Sequence, residues 1–265
     1  MDETAPEHTK PKSDRQILQE QMEESQHEYG RKSLSLALSS TAAGLEIGFS
    51  FFLIAVLFTQ FHQQVSTALL HLILAMSYPV GFILVIIGRS DLFTEHTTLA
   101  ILPVLDRKQS TLDLMRVWGL IYGGNMLGAF LFSLIFVRFA ALSGTVDSYA
   151  FEYYGAKMMA DGGRGLFLGA LFAGWLMGLL GWVVASSTDT IGRIMVISLI
   201  TFVIGIGGLA HCIAGAVAAF CAWLGGDNGL TGGEVWRFLA IATIGNTIGG
   251  AVFVGMFKYG YITND

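Results

Sequence analysis

The sequence predicts an all-α membrane protein with six transmembrane helices, arranged as two inverted three-helix repeats. The first observation is composition, because 53% of the 265 residues are hydrophobic and only 13% are charged, against about 25% charged in an average soluble domain. The second is a series of six long apolar runs. The third is a pair of matching asparagine–glycine motifs, one in each half of the chain.

Each apolar run is long enough to cross the hydrocarbon core of a bilayer, which takes about 18 residues or more. The runs extend over residues 34–59, 67–88, 114–139, 165–187, 193–224 and 235–258. They predict a transmembrane domain over 34–260, preceded by a polar tail, 1–33, and followed by a short polar end, 261–265. The tail has the mixed charge of a solvated segment, with a short amphipathic helix expected around residues 15–25.

Lysine and arginine indicate the orientation, because cytoplasmic loops carry an excess of these residues. With six spans and the N-terminus inside, ten of the 15 lie on the cytoplasmic side and four on the other side. We therefore expect both termini in the cytoplasm. No signal peptide is expected at the polar, acidic N-terminus. The cysteines, Cys212 and Cys221, both lie in the fifth run, which excludes a disulfide framework.

The third and sixth runs share the motif G-N-x-x-G. Its residues are Gly124, Asn125 and Gly128 in the third run, and Gly245, Asn246 and Gly249 in the sixth. The glycines of each motif share one helix face and permit close packing, and ordinary small-residue packing would explain them alone. The matched asparagines favour an internal repeat, with repeat one over 34–140 and repeat two over 165–260. Three spans in each half make the two copies inverted in the bilayer.

The second and fifth runs are each interrupted before the motif helix that follows, over residues 88–98 and 205–212. Freed backbone groups cannot face lipid, so broken helices line a cavity. Half-helix N-termini would direct free N–H groups into it, which favours an anionic substrate. His211, at the second interruption, is therefore a candidate pore residue. The alternative is a core histidine bonded to a carbonyl that the break frees.

At these residues the sequence resembles the formate/nitrite transporter family, as a divergent branch, over about residues 34–260. The motifs that carry the resemblance are DLFT (Asp91–Thr94), GGNMLGA in the third run, G-x-x-H ending at His211, and GNTIGG in the sixth run. The resemblance implies an aquaporin-like fold, a homopentamer with one pore in each protomer, and a bacterial inner-membrane location. It also implies passage of a small monovalent anion such as formate, nitrite or hydrosulfide, in some members together with a proton.

The resemblance also implies residue roles by position. His211 and Thr94 match the family's central histidine and loop threonine, although Thr94 could instead cap the half-helix that follows it. Leu92 and Leu209 flank the two breaks. The remaining candidate positions are the constriction residues Tyr78 and Ile204, Phe82 one turn beyond Tyr78, and the vestibule lysine Lys157.

The chain departs from the family pattern at three polar positions, which are Ala210, Gly215 and Gly174 here. The first break instead carries charged residues. We expect Arg89 and Asp91 to pair and, with Glu95, to stabilise that loop rather than to bind substrate. No metal-ligand spacing is present around His96, the histidine of this break, so neither a metal nor a cofactor is expected.

The leading hypothesis is a channel or proton-coupled transporter for a small monovalent anion or its neutral acid. One alternative is an aquaporin-like channel for small neutral solutes, which the glycines at 174 and 215 favour. Another is a non-conducting membrane protein whose tail binds a partner. The expected partners are the anion, the lipid bilayer and further copies of the chain, and no nucleic acid. An enzyme is not expected, because no nucleophile–base set or cofactor motif is present.

Overall fold

The computed structural model describes residues 11–227 and 230–264, and every regular element in those ranges is a helix. The first ten residues of the predicted tail and Asp265 of the predicted C-terminal end lie outside these ranges. In chain order the helices are α1 (Asp14–Gly30), α2 (Ser33–Glu46), α3 (Gly48–Phe61), α4 (Thr67–Ser77), α5 (Pro79–Gly88), α6 (Phe93–Leu99), α7 (Leu102–Leu105), α8 (Thr111–Ser143), α9 (Ser148–Ala160), α10 (Gly162–Ser186), α11 (Thr190–Ile206), α12 (Cys212–Gly225), α13 (Gly232–Gly250) and, after a π-helical turn at Ala251–Met256, α14 (Phe257–Asn264).

Five continuous helical segments in the described ranges are long and apolar enough to cross a membrane. They are Ser33–Phe61, Thr67–Gly88, Thr111–Ser143, Gly162–Ser186 and Gly232–Asn264. Each coincides with a predicted apolar run to within a few residues. The fifth predicted run is instead divided into the two shorter apolar helices α11 and α12.

Helix α1 is the amphipathic helix expected in the tail, and it is longer than expected. It begins with a capping box in which Ser13 and Gln16 satisfy each other's backbone N–H groups. Its apolar side does not face solvent. Ile17, Leu18 and Met22 pack against Leu102, Trp182 and Ile262, near the last residues of α10 and α14.

Two helix pairs pack closely through glycine, α2 with α8 and α10 with α13. A Cβ atom on Gly44 would overlap the carbonyl oxygen of Asn125, and one on Gly174 would overlap that of Asn246. The motif glycines at these contacts are Gly124 and Gly128 on α8, and Gly245 and Gly249 on α13. Such close approach is available only to glycine, and it brings each asparagine next to a neighbouring backbone.

Both interruptions contain a residue with left-handed backbone, four positions before the half-helix that follows. These residues are Gly208, with φ of 60°, and Arg89, also with φ of 60°. Glycine adopts this conformation without steric cost, whereas for arginine it is strained. The half-helices α6 and α12 therefore start after similar turns, although only one turn has glycine.

Candidate pore and substrate path

The two motif asparagines hold the two interruptions through the same set of contacts. Asn125 accepts a hydrogen bond from the N–H of Phe93 (2.8 Å) and donates to the carbonyls of Ser40 (2.7 Å) and Asp91 (2.8 Å). All of these groups are buried, so the amide pairs one donor and one acceptor of the first interruption, the N–H of Phe93 and the carbonyl of Asp91, and links them to the Ser40 carbonyl of α2.

Asn246 repeats this arrangement in the second half of the chain. Its side-chain oxygen accepts from the N–H of Cys212 (2.7 Å), and its side-chain nitrogen donates to the carbonyls of Ala170 (2.7 Å) and Ala210 (2.9 Å). Phe93 and Cys212 are the first residues of the half-helices α6 and α12. Each asparagine therefore holds the start of one half-helix against two other segments.

His211 lies at the N-cap of α12 and bonds through both ring nitrogens. Its Nδ1 accepts from the N–H groups of Ile213 (3.2 Å) and Ala214 (3.1 Å), and its Nε2 lies 2.8 Å from the hydroxyl of Thr94. His211 is 1% exposed, and its ring and that of Phe82 are perpendicular, with 5.1 Å between centroids.

These contacts assign the tautomer of His211. A nitrogen that accepts from two N–H groups carries no hydrogen, so a neutral ring has its proton on Nε2 and donates it to Thr94. Protonating Nδ1 as well would turn an N–H toward two other N–H groups and remove the cap of α12. The fold therefore favours a neutral His211 that acts as a hydrogen-bond donor.

The structure changes three expectations for the breaks. The first N–H groups of α12 are not free for a ligand, because Asn246 and His211 already accept them. His211 also differs from the alternative of a core histidine, since it bonds to N–H groups and a hydroxyl rather than to a freed carbonyl. Thr94 does not cap α6, which starts at Phe93 with Leu92 in the N-cap position.

A cavity of about 150 Å³, which we call the His211 cavity, reaches from α9 to His211. This volume is well above the roughly 10–15 Å³ that one water requires. The predicted residues that line it are Tyr78, Lys157, Ile204, Leu209 and His211. Phe82, Leu92 and Thr94 are fully buried and are not in its lining. Thr94 lies directly behind His211, and Phe82 packs between the rings of Tyr78 and His211.

Lys157 supplies positive charge to this cavity from α9. Burial lowers the pKa of its ammonium from the ordinary lysine value, and the charge of Asp161 opposes that shift. Its Nζ lies 6.0 Å from the centre of the Tyr154 ring. Asp161 and Tyr154 also line the cavity.

The expected pair between Arg89 and Asp91 is wrong. Among the described residues Asp91 pairs with Arg31, whose Nη1 donates to both carboxylate oxygens at 3.0 and 2.8 Å. The same Nη1 donates to Glu28 at 2.6 Å. Sequence alone does not reveal this contact, because Arg31 belongs to the segment expected to be solvated. Glu95 packs beside Gly181 of α10.

The Arg31 contacts tie the end of α1 to the first interruption. Burial alone would lower the pKa of this guanidinium, but hydrogen bonds and charge from Glu28 and Asp91 outweigh burial and raise it. His96 completes a cluster with Glu28 and Asp91. One side-chain nitrogen or oxygen atom from each of the three residues lies within 4.8 Å of those of the other two. The Arg31 guanidinium neutralises part of the negative charge of this cluster.

Two of the three departures that the resemblance implies, Gly174 and Gly215, lie in close packing. Gly174 does not line the cavity, because it packs against the backbone of Asn246. Gly215 does line it, and the ring of Phe238 occupies the space that a side chain at 215 would need. A side chain at 174 would therefore meet the backbone of Asn246, and one at 215 would meet the ring of Phe238.

Sequence reasoning did not identify His71, another cavity residue. It lies within an apolar span, and an ionisable side chain in such a span is itself a signal of function. Glu46 carries the same signal but does not line the cavity, and its Oε2 is buried without a partner among the described residues.

Comparison with known proteins places this architecture in a family. The sequence model of the formate/nitrite transporters matches residues 15–260. The chain belongs to the formate/nitrite transporter family.

Relatives in this family are similar along most of the chain. Inner membrane protein YfdC of Escherichia coli strain K12 is 28% identical over 245 residues, covering 92% of this chain and 77% of YfdC. The nitrite transporter NirC of Salmonella typhimurium strain LT2 is 28% identical over 237 residues, covering 87% of this chain and 84% of NirC.

Solved structures support the same family fold. An ion channel of the formate/nitrite transporter family superposes with a TM-score of 0.81 at 22% identity, covering 94% of this chain and 98% of that one. A pentameric formate channel with formate bound gives a TM-score of 0.72 at 22% identity, covering 88% and 98%. The all-helical fold of this family member is therefore that of membrane channels.

Proposed function

We propose that this protein conducts a small monovalent anion, of the formate or nitrite type, or its neutral acid. The observation that carries the proposal is a histidine in a neutral hydrogen-bonding arrangement, His211, at the inner end of a cavity to which Lys157 supplies a positive charge. NirC is a nitrite transporter and one structural neighbour holds formate, which supports this substrate class.

The hydrogen-bonding of His211 suggests how an anion crosses the buried part of the path. Bare charge in the bilayer centre costs roughly 3 to more than 10 kcal/mol. Donation from Nε2–H makes the Thr94 hydroxyl a stronger hydrogen-bond donor toward an anion, because successive hydrogen bonds polarise one another. A neutral ring that lost its Nε2 proton would become an imidazolate, so we propose that His211 donates a hydrogen bond and that any accompanying proton enters with the substrate.

We further propose six membrane crossings in two inverted repeats, with α11 and α12 together forming one crossing. The matched contacts of Asn125 and Asn246 support the repeat. The positive-inside distribution supports both termini in the cytoplasm, and the bacterial inner membrane follows by analogy with YfdC. A homopentamer with one pore per protomer follows by analogy with the pentameric formate channel.

Cysteine labelling tests this topology. Both native cysteines are buried, so a membrane-impermeant maleimide should report only introduced sites. We expect Thr145→Cys, in the exposed turn before α9, to be labelled in intact cells, and Gln19→Cys, exposed on α1, only after permeabilisation. Labelling of both positions from one side would contradict three crossings between them.

Flux into proteoliposomes tests the function. We expect formate and nitrite uptake above that of protein-free vesicles, and no added uptake of glycerol or urea. If the neutral acid is the crossing species, uptake should rise about tenfold for each unit of pH lowered, because the acid concentration rises by that factor well above its pKa.

Two other outcomes would favour the alternatives. The wall of the His211 cavity is largely apolar, with Ile204, Ala210 and Gly215 among its residues, which favours a neutral-solute channel as the second candidate. Uptake of neutral solutes alone would establish that function. Absence of all uptake would favour a non-conducting protein, for which α1 would have to bind a partner despite its packing against Trp182.

A further inference from the structure

The wall of the His211 cavity includes a second histidine, which the path described above does not use. His71 of α4 lines the same cavity as Lys157 and Asp161 of the α9 segment. The other titratable groups that line the cavity are Tyr78, Tyr154 and His211.

The Nε2 atom of His71 is buried and meets no hydrogen-bond partner among the described residues. Buried polar atoms in folded proteins are almost always paired, and an unpaired one requires an explanation such as a water or a ligand. His62 shows the usual arrangement, since its Nδ1 bonds to the carbonyl of Phe58 at 2.9 Å and its ring stacks on the Phe58 ring.

The surrounding charges restrict what the ligand can be. Lys157 attracts an anion, while Asp161 on the same wall repels it. A divalent anion would double both the attraction to Lys157 and the repulsion from Asp161, and it would be harder to desolvate. A monovalent anion needs only one cation and directed hydrogen bonds. An imidazole N–H is such a donor even when the ring is neutral.

We propose that His71 and Lys157 together bind a small monovalent oxyanion in the His211 cavity before it reaches His211. Lys157 supplies the charge, and Nε2–H of His71 supplies the directed hydrogen bond. This inference rests on the proposed function for its ligand class, but the site can be tested without transport. His71 is then a specificity-determining residue at the start of the path.

Kinetics of formate uptake by reconstituted protein test the role in transport. We expect His71→Phe to raise the KM for formate about tenfold, the value of one hydrogen bond to a charged group, with little change in maximal rate. His71→Gln keeps an N–H donor and should retain most of the affinity. His62→Phe is the matched control, because His62 lies outside the cavity, and its KM should equal that of the wild type.

A shared site also predicts coupling between the two residues. Lys157→Met should raise KM as well, and the double variant should lose less affinity than the product of the two single effects, since both contact one ligand. Multiplicative effects would show that the two residues act on formate independently and would overturn the shared site.

Binding separates this inference from the proposed function. Ligands that bind the native state raise the melting temperature by mass action, so sodium formate should stabilise the wild type and the His62→Phe variant alike. His71→Phe should need about ten times more formate for the same rise, because its affinity is expected to be about tenfold lower. If the wild type does not transport formate yet shows this difference, the site stands and the transport proposal fails. If formate stabilises wild type and His71→Phe equally, or stabilises neither, the site is overturned.

Discussion

Replacing His211 by asparagine is expected to reduce formate flux at least about tenfold while changing the free energy of unfolding by no more than about 1 kcal/mol. Asparagine is among the best N-cap residues, so its side-chain oxygen can replace Nδ1 as acceptor for Ile213 and Ala214. The shorter side chain does not reach Thr94 from that position. The substitution therefore removes the hydrogen bond to Thr94 and keeps the cap.

The expected loss of flux follows from the hydrogen bond that the Thr94 hydroxyl donates to the anion, because without Nε2–H of His211 this hydroxyl is no longer held as a donor toward the path. Hydrogen bonds to charged groups are worth roughly 1.5–3 kcal/mol, which corresponds to about 10- to 150-fold in rate. Proteoliposome uptake and detergent thermostability should be measured on the same preparations. Thr94→Val, which removes the hydroxyl that His211 bonds to, should lower flux in parallel.

His211→Phe is the comparison that separates the two roles of the ring. Phenylalanine has no acceptor, so two buried N–H groups would lose their partner at roughly 1–3 kcal/mol each, and both flux and stability should fall. Wild-type flux in His211→Asn would show that His211 only caps α12. Equal instability of the asparagine and phenylalanine variants would show that asparagine does not replace the cap.

The fold was largely predictable from the sequence because membrane-crossing helices depend on length and hydrophobicity. The helix bounds follow the apolar runs, and Gly208 marked the second interruption by residue type. The first turn was less visible, since Arg89 takes the left-handed conformation that glycine usually takes. Why arginine occupies this position has no explanation in the contacts of the described residues.

The site was predictable only where a polar residue interrupts an apolar run. That rule identified His211, but the acceptor role of Nδ1 depends on the turn geometry of α12, which spacing does not encode. The Arg31–Asp91 pair joins residues sixty positions apart and requires α1 to fold back onto the bundle. His71 could have been identified by the same rule as His211, because it also lies in an apolar span.

Asn125→Leu and Asn246→Leu are expected to have the largest effect on folding, and to have it equally. Leucine is similar in size, but in each case it leaves one N–H and one carbonyl of the interruption without their side-chain partner and removes the bond to a carbonyl of the neighbouring helix. At roughly 1–3 kcal/mol for each buried group, the loss is comparable to the 5–15 kcal/mol that stabilises a typical domain.

The measurement is the yield and detergent melting temperature of the purified protein, with Asn264→Leu as control. Asn264 is exposed on α14 and its side chain bonds only to the carbonyl of Gly260 among the described residues, so its replacement should leave both unchanged. Equal losses for the two motif variants would follow from their matching contacts, and would support equivalent halves. A stable Asn246→Leu beside an unstable Asn125→Leu would instead mean that His211, which Leu92 replaces in the first half, holds the second interruption by itself.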